Sequence, residues 1–157
     1  MECVLFCVGK TDQSELSELI RVYEQRLQHY TKFSIKVLND IKHRKTLREE
    51  QQKEAEGQLI EKQLKAGDRV ILLDEKGRQL SSIEFSVWMN KQQLAGHKRL
   101  IFVVGGPYGF SKKIYALAHQ KISLSTMTFS HQMIRLFFVE QLYRAHTLLK
   151  NEPYHHR

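Results

Sequence analysis

The 157-residue chain has only two prolines, and it lacks any long apolar run. A membrane-spanning helix needs about 20 consecutive apolar residues, so we do not expect a membrane protein. The apolar run at the N-terminus ends at Val8 and follows Glu2 rather than a basic segment, which predicts a strand and not a signal peptide. Because linkers and internal repeats are also missing, residues 1–157 are predicted to form a single domain.

Cysteine is scarce as well, with Cys3 and Cys7 as the only two. On a strand that rises about 3.3 Å per residue they would lie ~13 Å apart. A disulfide requires Cα atoms within about 7 Å, and a metal site would require more ligands at closer spacing. We therefore expect both side chains to pack in the core of a reduced, cytoplasmic protein that binds no metal.

Acidic residues are outnumbered, since 25 Lys and Arg stand against 17 Asp and Glu and give a formal charge of +8. Such an excess favours polyanionic partners, namely RNA, DNA or an anionic membrane surface. The sharpest basic run is Lys42-His43-Arg44-Lys45. It is interpreted either as a solvated loop or as a contact to a phosphate backbone, which would hold RNA without reading its sequence.

Strand-like apolar runs alternate with helical periodicity along the chain. Strands are predicted at residues 4–8, 33–38, 69–73, 100–104 and 122–125. Helices are predicted over 16–27, from a capping box of Thr46 and Glu49 to residue 64, after a capping box of Ser81 and Glu84, over 112–119, and after residue 131. This alternation predicts an α/β fold with a parallel sheet flanked by helices.

Two strand ends carry residues that suit a ligand site. Gly105-Gly106-Pro107-Tyr108-Gly109 follows the fourth strand, and ligands of open α/β sheets bind at that edge. Its G-G-x-x-G spacing is neither a dinucleotide fingerprint nor a P-loop. It is either a plain turn or a cofactor cradle without strong phosphate recognition. Asp74–Gly77 follows the third strand and is either an ordinary acidic turn or, with Leu73, a second wall of one crevice.

The last predicted helix carries charges among large apolar residues. At 100° per residue, Arg135 points to the same side as the apolar residues three and seven positions later. Charged groups are rarely buried unless they are paired, so we expect Arg135 to be paired and a partner chain or a ligand to meet this helix. Glu140 and Arg144 are four residues apart and could form an ordinary exposed ion pair. His131 could be a helix cap or a proton-transfer residue.

Several segments taken together resemble one known family. They are Gly105-Gly106-x-x-Gly109, Leu124-Ser125-x-Met127-Thr128-x-x-His131-Gln132-x-x-Arg135, Glu140-Gln141-x-Tyr143-Arg144-Ala145 and Pro153-Tyr154-His155. In order and spacing they are similar to the ribosomal large-subunit pseudouridine methyltransferase H family, of the SPOUT class. The resemblance covers the whole chain. It departs only at the end, where His156 and Arg157 extend past the expected terminus.

The resemblance implies a carboxyl-terminal trefoil knot, which pattern alone would not suggest. It also implies a homodimer with the final helix at the interface, and an S-adenosylmethionine site built from three loops. On this chain those loops supply Leu73, Gly105, Leu124, Ser125, Thr126, Met127, Thr128 and Phe129.

The implied reaction is methylation of N3 of pseudouridine 1915 in 23S rRNA, with the assembled ribosome as substrate. Arg144 would fix or stabilise the base, Tyr154 and His155 would close over it, and His131 is a second candidate for proton transfer. Two rival functions remain open. One is a noncatalytic basic RNA-binding protein. The other is a nucleotide-binding oxidoreductase, against which the glycine spacing argues.

Overall fold

Strands and helices alternate strictly in the computed structural model, which describes residues 1–39, 41 and 46–155. The elements are β1 Glu2–Val8, α1 Ser14–Leu27, β2 Lys32–Leu38, α2 Glu49–Glu61, β3 Asp68–Gln79, α3 Ser82–Leu94, β4 Arg99–Val104, α4 Lys112–Leu117, β5 Gln120–Ser123 and α5 Met133–Leu149. The basic run Lys42–Lys45 lies outside the described residues, so neither interpretation of it is tested.

The five strands form one sheet in the order β2-β1-β4-β3-β5, and every pairing is parallel. The predicted parallel α/β sheet is therefore confirmed. β3 is longer than expected, because it continues through an irregularity between Leu73 and Arg78 and pairs with β5 again at Gln79. The interpretation of Asp74–Gly77 as an ordinary acidic turn was therefore wrong, since these residues belong to the extended strand.

One of the two predicted capping boxes is present in the structure, and the other is not. Ser81 caps α3, with the Glu84 backbone N–H donating to its hydroxyl at 3.2 Å and the Ser81 N–H donating to the Glu84 carboxylate at 2.7 Å. The capping box proposed for Thr46 and Glu49 was wrong. The N-cap of α2 is Arg48, so Glu49 is the first helical residue and cannot reach back as a third-position acceptor.

The helices cover both faces of the sheet. α1, α3 and α5 pack on one face through a cluster that includes Leu16, Met89 and Phe138, and α2 and α4 cover the other face through Ile60 and Ile114. Parallel sheets need this double cover because both of their faces are apolar. In the described part of the chain, no helix is long and apolar enough to cross a membrane.

Both cysteines lie in the core, as predicted. Cys3 and Cys7 are fully buried and unpaired on β1, and burial raises the pKa of each thiol to about 11. They are therefore neutral packing side chains at physiological pH.

Arg135 is buried inside its own chain, with only 2% of its surface exposed. Its guanidinium donates to Val8 O at 2.8 Å, to Gly9 O and the Thr11 hydroxyl at 3.1 and 3.2 Å, and to His131 O at 3.1 Å. Arg135 is therefore paired, as expected, and its partners lie within its own chain. The backbone carbonyls of Val8 and Gly9, at the end of β1, satisfy much of the charge, and they tie the first turn of α5 to that edge of the sheet.

We expect Arg135→Lys to destabilise the protein by about 2–4 kcal/mol, because an ammonium cannot reach four separated acceptors and leaves buried carbonyls unsatisfied. Urea unfolding followed by circular dichroism measures this. Arg21→Lys on the exposed side of α1 is the matched control and should change stability by less than about 0.5 kcal/mol. Equal effects of the two variants would contradict the role of Arg135.

Candidate functional site

The carboxyl ends of β3, β4 and β5 open into a crevice of about 600 Å³. Parallel strands place these ends at one edge of the sheet, which is where open α/β proteins bind ligands. The lining comprises Leu73–Lys76, Val104–Phe110, Tyr115, Ile122–Ser125, Met127–His131 and Ile134. Three separate chain segments thus meet around one cavity large enough for a nucleoside-sized ligand.

Seven of the eight residues expected at the cofactor site line this crevice: Leu73, Gly105, Leu124, Ser125, Met127, Thr128 and Phe129. Thr126, the eighth, is not among the lining residues. His131 also lines the crevice. The structure therefore brings the three predicted loops together, as the resemblance implied.

The glycine turn after β4 rests directly on a buried carboxylate. Gly109 has a φ of 81° and donates its N–H to Gly106 O at 3.1 Å, which closes the turn. A Cβ placed on Gly106 would lie 2.4 Å from both carboxylate oxygens of Glu56. Glu56 is 3% exposed and accepts from Gln52 Nε2 at 2.8 Å. Glycine is required at 106 because α2 supports the turn at closer than side-chain distance.

A carboxylate and a phenol form a second fixed pair in the crevice. Tyr115 donates its hydroxyl to Asp74 Oδ2 at 2.5 Å, and the Lys76 backbone N–H donates to Asp74 Oδ1 at 2.7 Å. Burial, and then the bond to Asp74, raise the pKa of Tyr115, so it remains a neutral donor. Tyr115 was missed at the level of sequence, because a lone tyrosine on a short helix carries no pattern that pairs it with Asp74.

The segment from Leu124 to Phe129 is a hydrogen-bonded turn with apolar side chains pointing outward. Ser125 Oγ accepts the Met127 N–H at 2.9 Å, and Thr128 Oγ1 donates to Glu75 at 3.3 Å. Met127 is 72% exposed. The turn therefore presents the exposed Met127 side chain at the crevice, while Leu124 packs against the core.

The electrostatics of the crevice differ from those of the whole chain. Apart from Tyr108 and Tyr115, its ionisable lining consists of Asp74, Glu75, Lys76 and His131, so carboxylates outnumber lysine and arginine, whereas the chain carries a formal charge of +8. An acidic lining in a basic protein disfavours phosphate groups and suits a ligand with positive charge.

Arg144, Tyr154 and His155 meet at the other end of α5, around Glu140. Glu140 Oε1 accepts from Arg144 Nη2 at 2.5 Å and from the Tyr154 hydroxyl at 3.0 Å. Arg144 Nη1 lies 3.5 Å from His155 Nδ1, and its guanidinium carbon lies 4.7 Å from the centre of the Tyr154 ring. We call these four residues the carboxyl-terminal cluster. Glu140 and Arg144 form the ion pair that their spacing allowed, but the pair is half-buried rather than exposed, with 18% and 24% of the two side chains exposed.

Aromatic side chains hold the tail that carries Tyr154. The Tyr154 hydroxyl lies 3.3 Å from that of Tyr23, and its ring packs edge-on against Tyr143 at 4.8 Å. Tyr30 donates a hydrogen bond to Glu152, which lies two residues before Tyr154 in the tail. Burial, and then the hydrogen bonds to Tyr23 and Glu140, raise the pKa of Tyr154, so the phenol stays protonated. Neither Tyr30 nor Glu152 was identified from sequence.

The carboxyl-terminal cluster does not reach the crevice of its own chain. None of its four residues lines the cavity, whereas Ile134 at the start of α5 does. Arg144 follows Ile134 by ten positions on the same helix, which separates them by about 15 Å along the axis. Of the predicted catalytic residues, only His131 lies with the predicted cofactor residues.

Comparisons with known proteins agree with this architecture. The family described as "Predicted SPOUT methyltransferase" matches residues 1–155. Curated relatives named "Ribosomal RNA large subunit methyltransferase H" include those of Christiangramia forsetii, 59% identical over 157 residues, and Parabacteroides distasonis, 56% identical over 156 residues. That of Flavobacterium johnsoniae is 55% identical over 157 residues. These alignments cover 99–100% of both chains.

The chain, with its parallel sheet and a ligand-sized crevice at the carboxyl edge of that sheet, therefore belongs to the SPOUT class of methyltransferases. Within that class the chain belongs to the ribosomal RNA large subunit methyltransferase H family. Across the described ranges 1–39, 41 and 46–155, no group of three or more His, Cys, Asp or Glu side chains could hold a metal ion.

We expect Gly106→Ala to destabilise the protein by about 1–3 kcal/mol, because the added methyl overlaps the Glu56 carboxylate. Thermal unfolding measures this loss. In a Glu56→Ala background the added methyl no longer overlaps a carboxylate. The stability losses of the two single variants should therefore sum to more than the stability loss of the double variant. Strict additivity would contradict the contact.

We expect His146 to make the fold acid-sensitive. It is 4% exposed beside Tyr30, and burial, with a smaller contribution from Lys150, lowers its pKa to about 4. The unfolded chain binds this proton at a higher pH than the folded chain. The contribution of neutral His146 to the free energy of unfolding is therefore fully present above about pH 6.5. It falls by up to roughly 3 kcal/mol as the pH drops to 4. Urea midpoints across this range should fall less steeply in His146→Gln. An unchanged slope would contradict the assignment.

Proposed function

We propose that this protein is an S-adenosylmethionine-dependent methyltransferase that acts on N3 of pseudouridine 1915 in 23S rRNA. The observation that carries the proposal is the crevice that β3, β4 and β5 build at one sheet edge, in a chain that belongs to a methyltransferase family. The names of the curated relatives and the +8 charge support an RNA substrate.

The residues present fit the proposed cofactor. Leu73 and Leu124 offer apolar walls, the glycine turn at 105–109 allows close approach of the backbone, and the acidic lining suits a cation. When bound, S-adenosylmethionine supplies an electrophilic methyl group on a positively charged sulfur. A dinucleotide would bring phosphates to the same acidic lining, which disfavours the rival oxidoreductase.

The substrate nitrogen requires activation, because the neutral N3–H of an imide is a poor nucleophile. The N3 proton must leave, and a cation near the ring would stabilise the negative charge that develops. In the proposed mechanism Arg144 provides that cation and Glu140 holds the guanidinium in place. Tyr154 and His155 orient the base. His131, which lines the crevice, is the candidate to accept the N3 proton.

The separation between the crevice and the carboxyl-terminal cluster supports a homodimer in which the tail of one chain completes the crevice of its partner. α5 is a single helix, so it holds the two groups of its own chain apart. Exposed apolar side chains at Phe129, Met133 and Phe137 lie on and just before the first turns of α5, beside the crevice. Such surface suits an interface between subunits.

We also propose that the carboxyl terminus forms the trefoil knot that the family resemblance implies. β5 lies at one edge of the sheet next to β3, yet the chain after it returns to β1, where Arg135 binds the carbonyls of Val8 and Gly9. A segment that passes back over the strand ends in this way is consistent with a threaded carboxyl terminus. The proposed location is the cytoplasm, where ribosomes are present.

A methylation assay on purified ribosomes and on naked 23S rRNA, followed by mapping of the modified nucleotide, tests the proposal. We expect a methyl group on N3 of a single pseudouridine and faster reaction on the assembled ribosome. Binding of rRNA without methyl transfer to either substrate would favour the noncatalytic RNA-binding alternative.

Arg144→Lys, Tyr154→Phe and His155→Ala should each lower the methylation rate by about 10- to 100-fold, because each removes a positioning or charge-stabilising contact at the base. Cofactor affinity measured by calorimetry should change less than about threefold, since none of the three lines the crevice. The exposed Arg21→Lys is the control. Wild-type rates in all three variants would refute these roles.

Heterodimers that pair a Gly105→Val subunit with a Tyr154→Phe subunit test the shared site. If the tail acts on the partner's crevice, one of the two sites keeps a wild-type crevice and a wild-type tail. Heterodimers isolated with two affinity tags should then recover about half of the wild-type activity. If each tail serves its own crevice, both sites are defective, and the activity stays at the level of the parent homodimers.

A further inference from the structure

Asp74 is the charged side chain that contributes most to the electrostatic potential inside the crevice. Among the acidic and basic lining residues of the crevice, Asp74 is 9% exposed and His131 is half-buried, whereas Glu75 and Lys76 are exposed to water. Water and salt screen the charges of exposed side chains, while a buried charge acts through a medium of lower dielectric constant. The potential inside the crevice is therefore set mainly by the Asp74 carboxylate.

The Asp74 carboxylate is held firmly without being neutralised. Within the part of the chain that the structure describes, its hydrogen-bond donors are uncharged, namely the Tyr115 hydroxyl and the Lys76 backbone N–H. Lys121, which is exposed, lies 5.5 Å from the centre of the Tyr115 ring. The phenol thus fixes the orientation of the carboxylate and leaves its negative charge to act on a ligand.

We propose that Asp74, oriented by Tyr115, makes the crevice selective for the positively charged cofactor over its uncharged-sulfur product. This inference rests on the proposed function. S-adenosylmethionine carries a sulfonium, and S-adenosylhomocysteine, which remains after methyl transfer, carries a neutral thioether. The two ligands differ only by the methyl group on sulfur and by the one unit of positive charge that it brings.

This selectivity gives the crevice a role in turnover. In the proposed reaction the S–CH3 bond would break as the N3–CH3 bond forms, the N3 proton would pass to a base such as His131, and the bound cofactor would become an uncharged thioether. Attraction to Asp74 therefore weakens at the moment of reaction, which promotes product release and exchange for fresh cofactor.

Calorimetry on the purified full-length protein with three ligands tests the inference. They are S-adenosylmethionine, S-adenosylhomocysteine and sinefungin, in which an ammonium-bearing carbon replaces the sulfonium. Asp74→Asn should raise the Kd of both cationic ligands by about five- to tenfold and change the Kd of S-adenosylhomocysteine by less than about twofold. Loss of affinity for all three to the same extent would overturn the inference, since it would indicate a structural role.

Two matched variants separate charge from geometry. Glu75→Gln removes an exposed carboxylate from the same lining and should leave the ratio of cationic to neutral affinity within about twofold of wild type. Tyr115→Phe keeps the Asp74 charge and should preserve most of the preference. A ratio that falls as far in Glu75→Gln as in Asp74→Asn would overturn the assignment to Asp74.

Asp74→Ser is the second variant if Asp74→Asn does not fold, because its hydroxyl can still accept from the N–H two residues on. The same change in ratio is expected. A wild-type protein that binds none of the three ligands would refute the proposed function itself. Tight binding with an unchanged ratio in the variants would refute only the role of Asp74.

Discussion

The buried guanidinium of Arg135 is the interaction on which both ends of the site depend. It joins the first turn of α5 to the carbonyls of Val8 and Gly9, just past the carboxyl end of β1. Gln132 strengthens this connection by donating to Lys10 O and accepting from the Asp12 N–H, both at 3.1 Å. Anchored here, the segment before α5 lies along the crevice, and the helix packs onto α1 and α3. A buried charge satisfied by backbone carbonyls has few alternative arrangements, so it specifies one position for the helix.

The two ends of α5 carry different parts of the proposed site. The first turns of α5 face the crevice, and the last turns carry the carboxyl-terminal cluster, whose tail is held by Tyr23, Tyr143 and Tyr30. A rigid helix keeps these groups apart within one chain, which gives the proposed dimer a chemical purpose. In the proposed site, rigid strand ends and a glycine turn supply the cofactor contacts. Under the same proposal, two carboxylates in the crevice and a formal charge of +8 on the whole chain direct a cationic cofactor and a polyanionic substrate to different surfaces.

Periodicity and turn chemistry predicted the order of elements and the parallel sheet, because apolar strands and the Ser81 cap are local signals. The Thr46 box failed because the same residue spacing occurs by chance two positions before the true helix start. Long-range pairings could not be predicted from the sequence. The Val8 and Gly9 carbonyls that accept from Arg135 lie more than 120 residues away and have no sequence signature. The contact of Glu56 with Gly106, and the pairing of Asp74 with Tyr115, likewise depend on how α2 and α4 pack. The predicted cofactor residues and the cluster came from the family resemblance, which could not show that a single chain keeps them apart.

A crystal structure of the protein grown with S-adenosylmethionine is the most direct test that the strand-end crevice is the cofactor site. We predict ligand density between Leu73, Gly105 and the Leu124–Phe129 turn, with the tail of the partner subunit closing the opening. Density at any other surface of the chain, with this crevice free of ligand, would contradict the assignment.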